Sequence, residues 1–202
     1  ERRVAEYVNV KHAAAMYSCT DAMLLALKVL GVDKGDEIIT TTFTFASTGH
    51  VICHHGAKPV FVDVDPETFN INPELIEEKI TPKTKGIIPV HYGGQSCDMD
   101  PIMDIASKHN LFVMEDAAHA IGTKYKGRKI GSIGDITCFS YYATKNLSTA
   151  EGGMAVTNNE EWSNRMRILS MYGISDAREI WHSRYSKAGA IHHEIVELGY
   201  KC

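Results

Sequence analysis

What the chain has little of narrows it first. No apolar stretch approaches the roughly 18 residues that suggest a membrane span, so no membrane role is expected. The five cysteines (Cys19, Cys53, Cys97, Cys138 and Cys202) are scattered, odd in number and free of any C-x-x-C pair. That pattern suits reduced thiols in a cytoplasmic protein better than a disulfide framework or a zinc site. Like charges never collect into a block, and the net charge is only −4. Nucleic acid is therefore not expected as the main partner. No G-x-G-x-x-G joins a strand to a helix, which removes the dinucleotide-binding reading. Ten histidines are present, yet His50 and His54 at i, i+4 lack the glutamate of H-E-x-x-H. His192-His193-Glu194 has no further histidine at ligand spacing. These side chains read as helix-face or surface residues, and no metal is expected. Repeats and low-complexity linkers are missing too. No signal peptide leads the chain, and Val4-Ala5-Glu6-Tyr7-Val8 reads as the last turns of a helix begun earlier, so the N-terminus looks clipped.

What is present is ordinary globular material: 202 residues, 44% hydrophobic and 23% charged, enough to bury one sizeable core. Helical and strand patterns alternate. Helices are expected over Asp21–Leu30 (stopped by Gly31), Ala46–His54, Pro73–Ile80 (proline in its first turn), Asp100–His109 and Glu160–Tyr172. Strands are expected at Glu37–Thr40, Val60–Val62, Gly86–Val90 and Leu111–Met114, then near Ile136–Ser140 and Met154–Thr157, with a hairpin turn across Lys124–Lys129. Continuous apolar strands separated by helices imply an α/β protein, with a mostly parallel central sheet covered by helices on both faces. The end from Ser175 to Cys202 is polar, His-rich and carries no clear pattern.

Two segments carry chemistry. One is Glu115-Asp116-Ala117-Ala118-His119-Ala120, closing an apolar run. The other is Phe139-Ser140-Tyr141-Tyr142-Ala143-Thr144-Lys145-Asn146, which places a lone lysine in a polar loop. Pyridoxal phosphate asks for this pair: an amine to hold its aldehyde as a Schiff base, and a carboxylate against its pyridine nitrogen. Each residue also has a plainer reading. Asp116 could cap the segment after it, and Lys145 alone would pass for a solvated surface lysine. Ser18-Cys19-Thr20-Asp21, where strand passes to helix, could be a simple N-cap or an anion site. Thr42-Phe43-Thr44-Phe45 puts aromatics just after a strand, where packing is the usual role.

The order of these words is more specific than any one of them. With Gly35-Asp36-Glu37-Ile38-Ile39, Ala57-Lys58-Pro59-Val60-Phe61-Val62-Asp63-Val64-Asp65, Pro89-Val90-His91-Tyr92-Gly93-Gly94 and Glu151-Gly152-Gly153, they span most of the chain from Tyr17 to Tyr172. Over that span it resembles the DegT/StrS-type sugar-nucleotide aminotransferases, pyridoxal-phosphate enzymes of the aspartate aminotransferase fold (fold type I). The resemblance implies an α/β/α sandwich and a set of roles. Lys145 would bind the cofactor covalently and later move the proton as base and acid. Asp116 would pair with the ring nitrogen, and Phe45 and His119 would pack against the ring. Thr20, Asp21 (through backbone N–H groups) and Ser140 would bind the phosphate.

It further implies that residues 1–174 form a cofactor-binding large domain. Residues 175–202 would begin the connection to a smaller C-terminal domain that is not in the chain. The enzyme would be a cytoplasmic homodimer taking an amine from L-glutamate, releasing 2-oxoglutarate, and delivering it to a nucleotide-linked keto sugar, most plausibly a 4-keto sugar. Two alternatives stand beside this reading. One is a binding or regulatory protein on the same fold without turnover. The other is a pyridoxamine-phosphate-dependent sugar dehydratase, which the presence of Lys145 opposes.

Overall fold

The computed structural model describes residues 1–175 and 194–202. Of the His192-His193-Glu194 triplet the two histidines lie outside the described residues, as does most of the expected connecting segment 175–202.

The strands are β1 (His12–Met16), β2 (Glu37–Thr41), β3 (Lys58–Val62), β4 (Thr84–Ile87), β5 (Phe112–Asp116), the short pair β6 (Lys124–Tyr125) and β7 (Arg128–Lys129), β8 (Ile136–Ser140) and β9 (Gly153–Thr157). The helices are α1 (Arg2–Val8), α2 (Cys19–Val29), α3 (Ala46–His54), α4 (Met99–His109) and α5 (Glu160–Ser170). Seven strands form one sheet in the order β1-β9-β8-β5-β4-β2-β3. Pairing is parallel from β3 through β8, and β9 alone runs against its neighbours β8 and β1. Two apolar layers cover it. One packs α1, α4 and Ile76 on Ala13, Ile39, Ile87, Val113 and Phe139. The other packs α2, α3 and α5 on Ala14, Ile38, Met114, Ile136 and Ala155. The α/β sandwich with helices on both faces is therefore the observed architecture.

Local chemistry explains the elements that matter for the site. Helix α2 is rich in strong helix formers and buries seven of its residues. Ser18 caps it by accepting the Asp21 N–H at 3.0 Å, while Asp21 and Lys28 suit its two dipole ends. Gly31, at φ 77°, follows the helix in the left-handed region, where glycine carries no Cβ penalty.

Four expectations shift. Pro73–Ile80 is not one helix but two 3₁₀ turns, Pro73–Leu75 and Glu77–Lys79, with fully buried Ile76 between them; anchoring that side chain in so short a segment favours tight turns. The Gly86–Val90 strand begins earlier and ends at Ile87, because Pro89 has no N–H to continue a ladder. The strand after α4 starts at Phe112, since Leu111 N–H closes the helix end on the Ala106 carbonyl and Asn110 adopts φ 54°. It runs on to include Asp116. Helix α5 stops at Ser170, as Tyr172 turns to φ 61°.

Candidate active site

Of the seven strands in this sheet all but β9 point their carboxyl ends at one edge, and β9 starts there: Met16 and Ser140 both pair with Gly153. Ligands of open α/β sheets gather at this edge. The structure has a cavity of about 630 Å³ there, lined by segments that follow β1, β2, β4, β5 and β8 and precede β9. Thr20, Phe45, Asp116, His119, Ser140 and Lys145 all line it. Asp21 does not: its N–H is donated to Ser18 Oγ, and its carboxylate accepts the Ser18 hydroxyl at 2.8 Å. The plain N-cap is thus present, and among the expected site residues Asp21 alone stands behind the wall.

Asp116 is the last residue of β5 and is buried. Its backbone is fixed on both sides, N–H to the Pro89 carbonyl at 2.9 Å and carbonyl from the His91 N–H at 3.0 Å. Its Oδ2 accepts the Thr48 hydroxyl at 2.7 Å, and its Oδ1 accepts the Ala118 N–H at 3.2 Å. The segment after it is a turn, not a helix. Such a buried carboxylate keeps acceptor capacity toward the cavity.

Lys145 lies in the loop between β8 and β9. That loop is tied by Tyr141 N–H to the Gly152 carbonyl, Thr149 N–H to the Tyr141 carbonyl and Asn146 Nδ2 to the Ile121 carbonyl, each at 2.8 Å. Its Nζ is 2.7 Å from His119 Nε2. Partial burial, and then the charge of Lys145, push His119 below the ordinary imidazole range. A neutral ring accepting an ammonium N–H at Nε2 satisfies both groups.

The remaining wall carries an anion-accepting end and an aromatic one. The N-terminus of α2 meets β9 so closely that a Cβ on Gly153 would lie 2.1 Å from the Ser18 carbonyl carbon. Only glycine fits there, which accounts for Gly153. Free N–H groups at a helix start, beside Thr20 and Ser140, suit a phosphate. Phe45 is 79% exposed at the N-cap of α3, an apolar ring unsupported by the core.

Behind the cavity, Glu115 is fully buried and accepts three bonds: His91 Nε2 at 2.9 Å, Gly134 N–H at 2.8 Å and the Thr137 hydroxyl at 2.6 Å. Against the cost of burial, these hydrogen bonds hold its carboxyl below the usual glutamate range. For His91, burial opposes charging while bonding to Cys97 and Glu115 favours it, to about 10. The Cys97 N–H, however, is aimed at Nδ1 at 3.0 Å and closes that position to a second proton. We assign a neutral ring donating through Nε2.

Thr48, Thr44, Tyr92 and Glu151 also belong to the site and were not assigned roles from sequence. Thr44 just precedes the Phe45 N-cap of α3 and Thr48 sits in its first turn, and that four-residue spacing of hydroxyls across a helix start is the one signal that could have flagged them. Among the described residues no group of three metal-ligating side chains converges, and no helix is long and apolar enough to cross a membrane.

A lysine amine and a buried carboxylate facing one cavity at the carboxyl edge of this sheet define a cofactor-handling pocket. The chain belongs to the DegT/DnrJ/EryC1/StrS aminotransferase family, whose model matches residues 1–201. It is 54% identical over 201 residues to the spore coat polysaccharide biosynthesis protein SpsC of Bacillus subtilis, covering 100% of this chain and 51% of that protein. It is 45% identical over 181 residues to the GDP-perosamine synthase of Caulobacter vibrioides, covering 90% and 49%. Among solved structures, the PMP-form of the sugar aminotransferase Spr1654 of Streptococcus pneumoniae superposes with a TM-score of 0.91 at 36% identity, over 100% of this chain and 55% of that one. The PLP-form of the same protein gives 0.89. The chain spans about half the length of the curated relatives it matches. Pyridoxal phosphate is the cofactor of this family, and the residues present fit it: an amine, a hydrogen-bonded buried carboxylate, an exposed aromatic ring and a capped helix N-terminus surround one cavity.

Proposed function

We propose that the chain holds the cofactor half of an aminotransferase that passes an amine from L-glutamate, released as 2-oxoglutarate, to a nucleotide-linked keto sugar, most plausibly a 4-keto sugar. The observation that carries this reading is Lys145 Nζ at 2.7 Å from His119 Nε2 in the same cavity as buried Asp116. When bound, pyridoxal phosphate supplies an aldehyde that captures amines and a protonated ring that withdraws electrons from the reacting carbon. The chain supplies the rest. Lys145 holds the cofactor covalently and, once displaced, carries the proton to and from the substrate Cα. His119 accepts the Lys145 N–H hydrogen bond at Nε2 and packs beside the ring. Asp116 sets an anion against the ring nitrogen, and Phe45 stacks on the ring face. Thr20 at the start of α2 and Ser140 at the end of β8 hold the phosphate, while Asp21, expected to join them, holds the Ser18 cap behind the wall instead.

In this reading residues 1–174 are the cofactor-binding large domain, and 175–202 begin the passage to a small domain. The working enzyme is a cytoplasmic homodimer. The names of the relatives, one in polysaccharide biosynthesis and one a GDP-sugar synthase, support an amino-sugar product.

The test is to mix purified protein with pyridoxal phosphate, reduce with borohydride and map the modified peptide. The label is expected on Lys145, lost in Lys145→Ala, and prevented by prior treatment with L-glutamate. A label elsewhere, or one that survives Lys145→Ala, refutes the assignment. Product formation is then scored on 4-keto and 3-keto nucleotide sugars.

A further inference from the structure

We infer that Thr48 is a positioning residue for Asp116, and that Thr44 and Thr48 form a directed hydroxyl chain from the cavity wall to that carboxylate. Thr48 is fully buried in the first turns of α3, on a helix whose other buried residues nearby are Val51 and Ile52. Packing alone would be served by valine there, so the hydroxyl needs a reason. Its Oγ1 lies 2.7 Å from Asp116 Oδ2 and 2.8 Å from Thr44 Oγ1. A carboxylate can only accept, so Thr48 donates to Asp116 and its own oxygen is left to accept from Thr44. The direction of both protons is thereby determined. Thr44 ends the chain at the cavity wall, next to Phe45.

The backbone of Asp116 is already pinned by Pro89 and His91, and what remains free is the rotation of its side chain. Two bonds decide that rotation. The Ala118 N–H at 3.2 Å is long, whereas the Thr48 hydroxyl at 2.7 Å is a short, charge-assisted bond. Thr48 is thus the main constraint on where the carboxylate points. It also links that orientation to the Phe45 segment, because Thr48 N–H bonds the Phe45 carbonyl at 3.2 Å. One short helix start then places both the anion and the stacking ring around the same ligand.

The inference rests on the pyridoxal phosphate reading of the cavity. Its test is the dissociation constant of pyridoxal phosphate for cofactor-free protein, followed by absorbance, with thermal unfolding of the same samples before loading. Thr48→Val keeps the shape and removes the donor, so binding is expected to weaken about tenfold, with the unfolding temperature of the unloaded protein little changed. Thr48→Ser restores the hydroxyl and should bind within about twofold of the parent. Thr44→Val removes only the outer link and should fall between them. Thr48→Val binding as tightly as the parent overturns the inference, and so does Thr48→Ser failing as badly as Thr48→Val, which would assign the effect to the methyl group. If Thr48→Val does not fold, Thr48→Ser and Thr44→Val decide by the same criteria. A parent protein with no affinity for pyridoxal phosphate removes the cavity reading itself, a result distinct from either.

Discussion

Glu115 and Asp116 are consecutive in β5 and serve opposite faces of the sheet. Asp116 turns to the α3 side, where Thr48 and the cavity meet it, and Glu115 turns to the α4 side, where it binds His91, Gly134 and Thr137. The alternation of a strand makes this unavoidable, and it assigns the two acids different work. Glu115 is a buried anion whose three donors are all protein groups. Its neighbour can stay cavity-facing because Glu115 and His91 lock the β4 and β5 ends together beneath it.

That arrangement predicts a pH-dependent stability. Glu115→Gln turns an amide N–H toward the His91 Nε2 donor and removes a fully buried charge acceptor, and should cost about 3 kcal/mol of unfolding free energy. Because the folded carboxyl is held below its ordinary range, its contribution is complete above the unfolded glutamate value and is lost as pH falls through the depressed one. Urea unfolding from pH 7 downward should therefore show the gap between parent and variant closing with acid. A gap that stays constant or widens would show that Glu115 is not the titrating group.

His119 offers an electrostatic test that needs no turnover. In cofactor-free protein its imidazole should titrate below the ordinary value, with partial burial the larger cause and Lys145 the second. Lys145→Met removes only the second. Nuclear magnetic resonance titration should then show the His119 pKa rising without reaching the solvent value. No movement at all would mean that the 2.7 Å contact is not kept in solution.

Much of this was legible from residue types, and the misses share a cause. Lys145, Asp116 and Thr20 could be placed at one sheet edge because a polar loop, a strand end and a helix start lie there, but each had a plainer reading alone and only the order of the motifs joined them. Thr48 could not be placed, since a threonine in the first turns of a helix looks the same whether its hydroxyl meets water or a carboxylate arriving from β5, 68 positions away. The strand His12–Met16 is mostly alanine and has no periodic signature; pairing with β9 makes it a strand. Pro73–Ile80 shows the helical pattern but is held as two tight turns by the burial of Ile76, a tertiary demand overriding a local one.

Two glycine substitutions should move stability in opposite directions. At Gly153 a methyl group would meet the Ser18 carbonyl carbon at 2.1 Å and the Cys19 nitrogen at 2.5 Å, both backbone atoms. Gly153→Ala must therefore displace the start of α2 or the start of β9, at a cost of about 2 kcal/mol, and should also weaken phosphate binding. At Gly49, inside α3, a Cβ meets nothing within 4 Å. Gly49→Ala should stabilise by about 0.5–1 kcal/mol through the lower entropy of the unfolded chain. Thermal denaturation of both variants decides it, and a tolerated Gly153→Ala would contradict the close approach.

Phe45 separates binding from folding most cleanly. Its ring is 79% exposed, so truncation removes little buried surface, and Phe45→Ala should leave the unfolding free energy of the unloaded protein within about 0.5 kcal/mol of the parent. Bound between this ring and the far wall, a pyridine would gain about 0.5–1.5 kcal/mol from stacking beyond its burial, so the variant should bind pyridoxal phosphate up to about tenfold more weakly. The same substitution at buried Phe139, which packs in the sheet core, should behave inversely, costing about 3–5 kcal/mol of stability. If Phe45→Ala binds the cofactor as well as the parent while remaining folded, the exposed ring serves some other surface, and the aromatic wall of the cavity must be assigned to Tyr92 or Tyr142 instead.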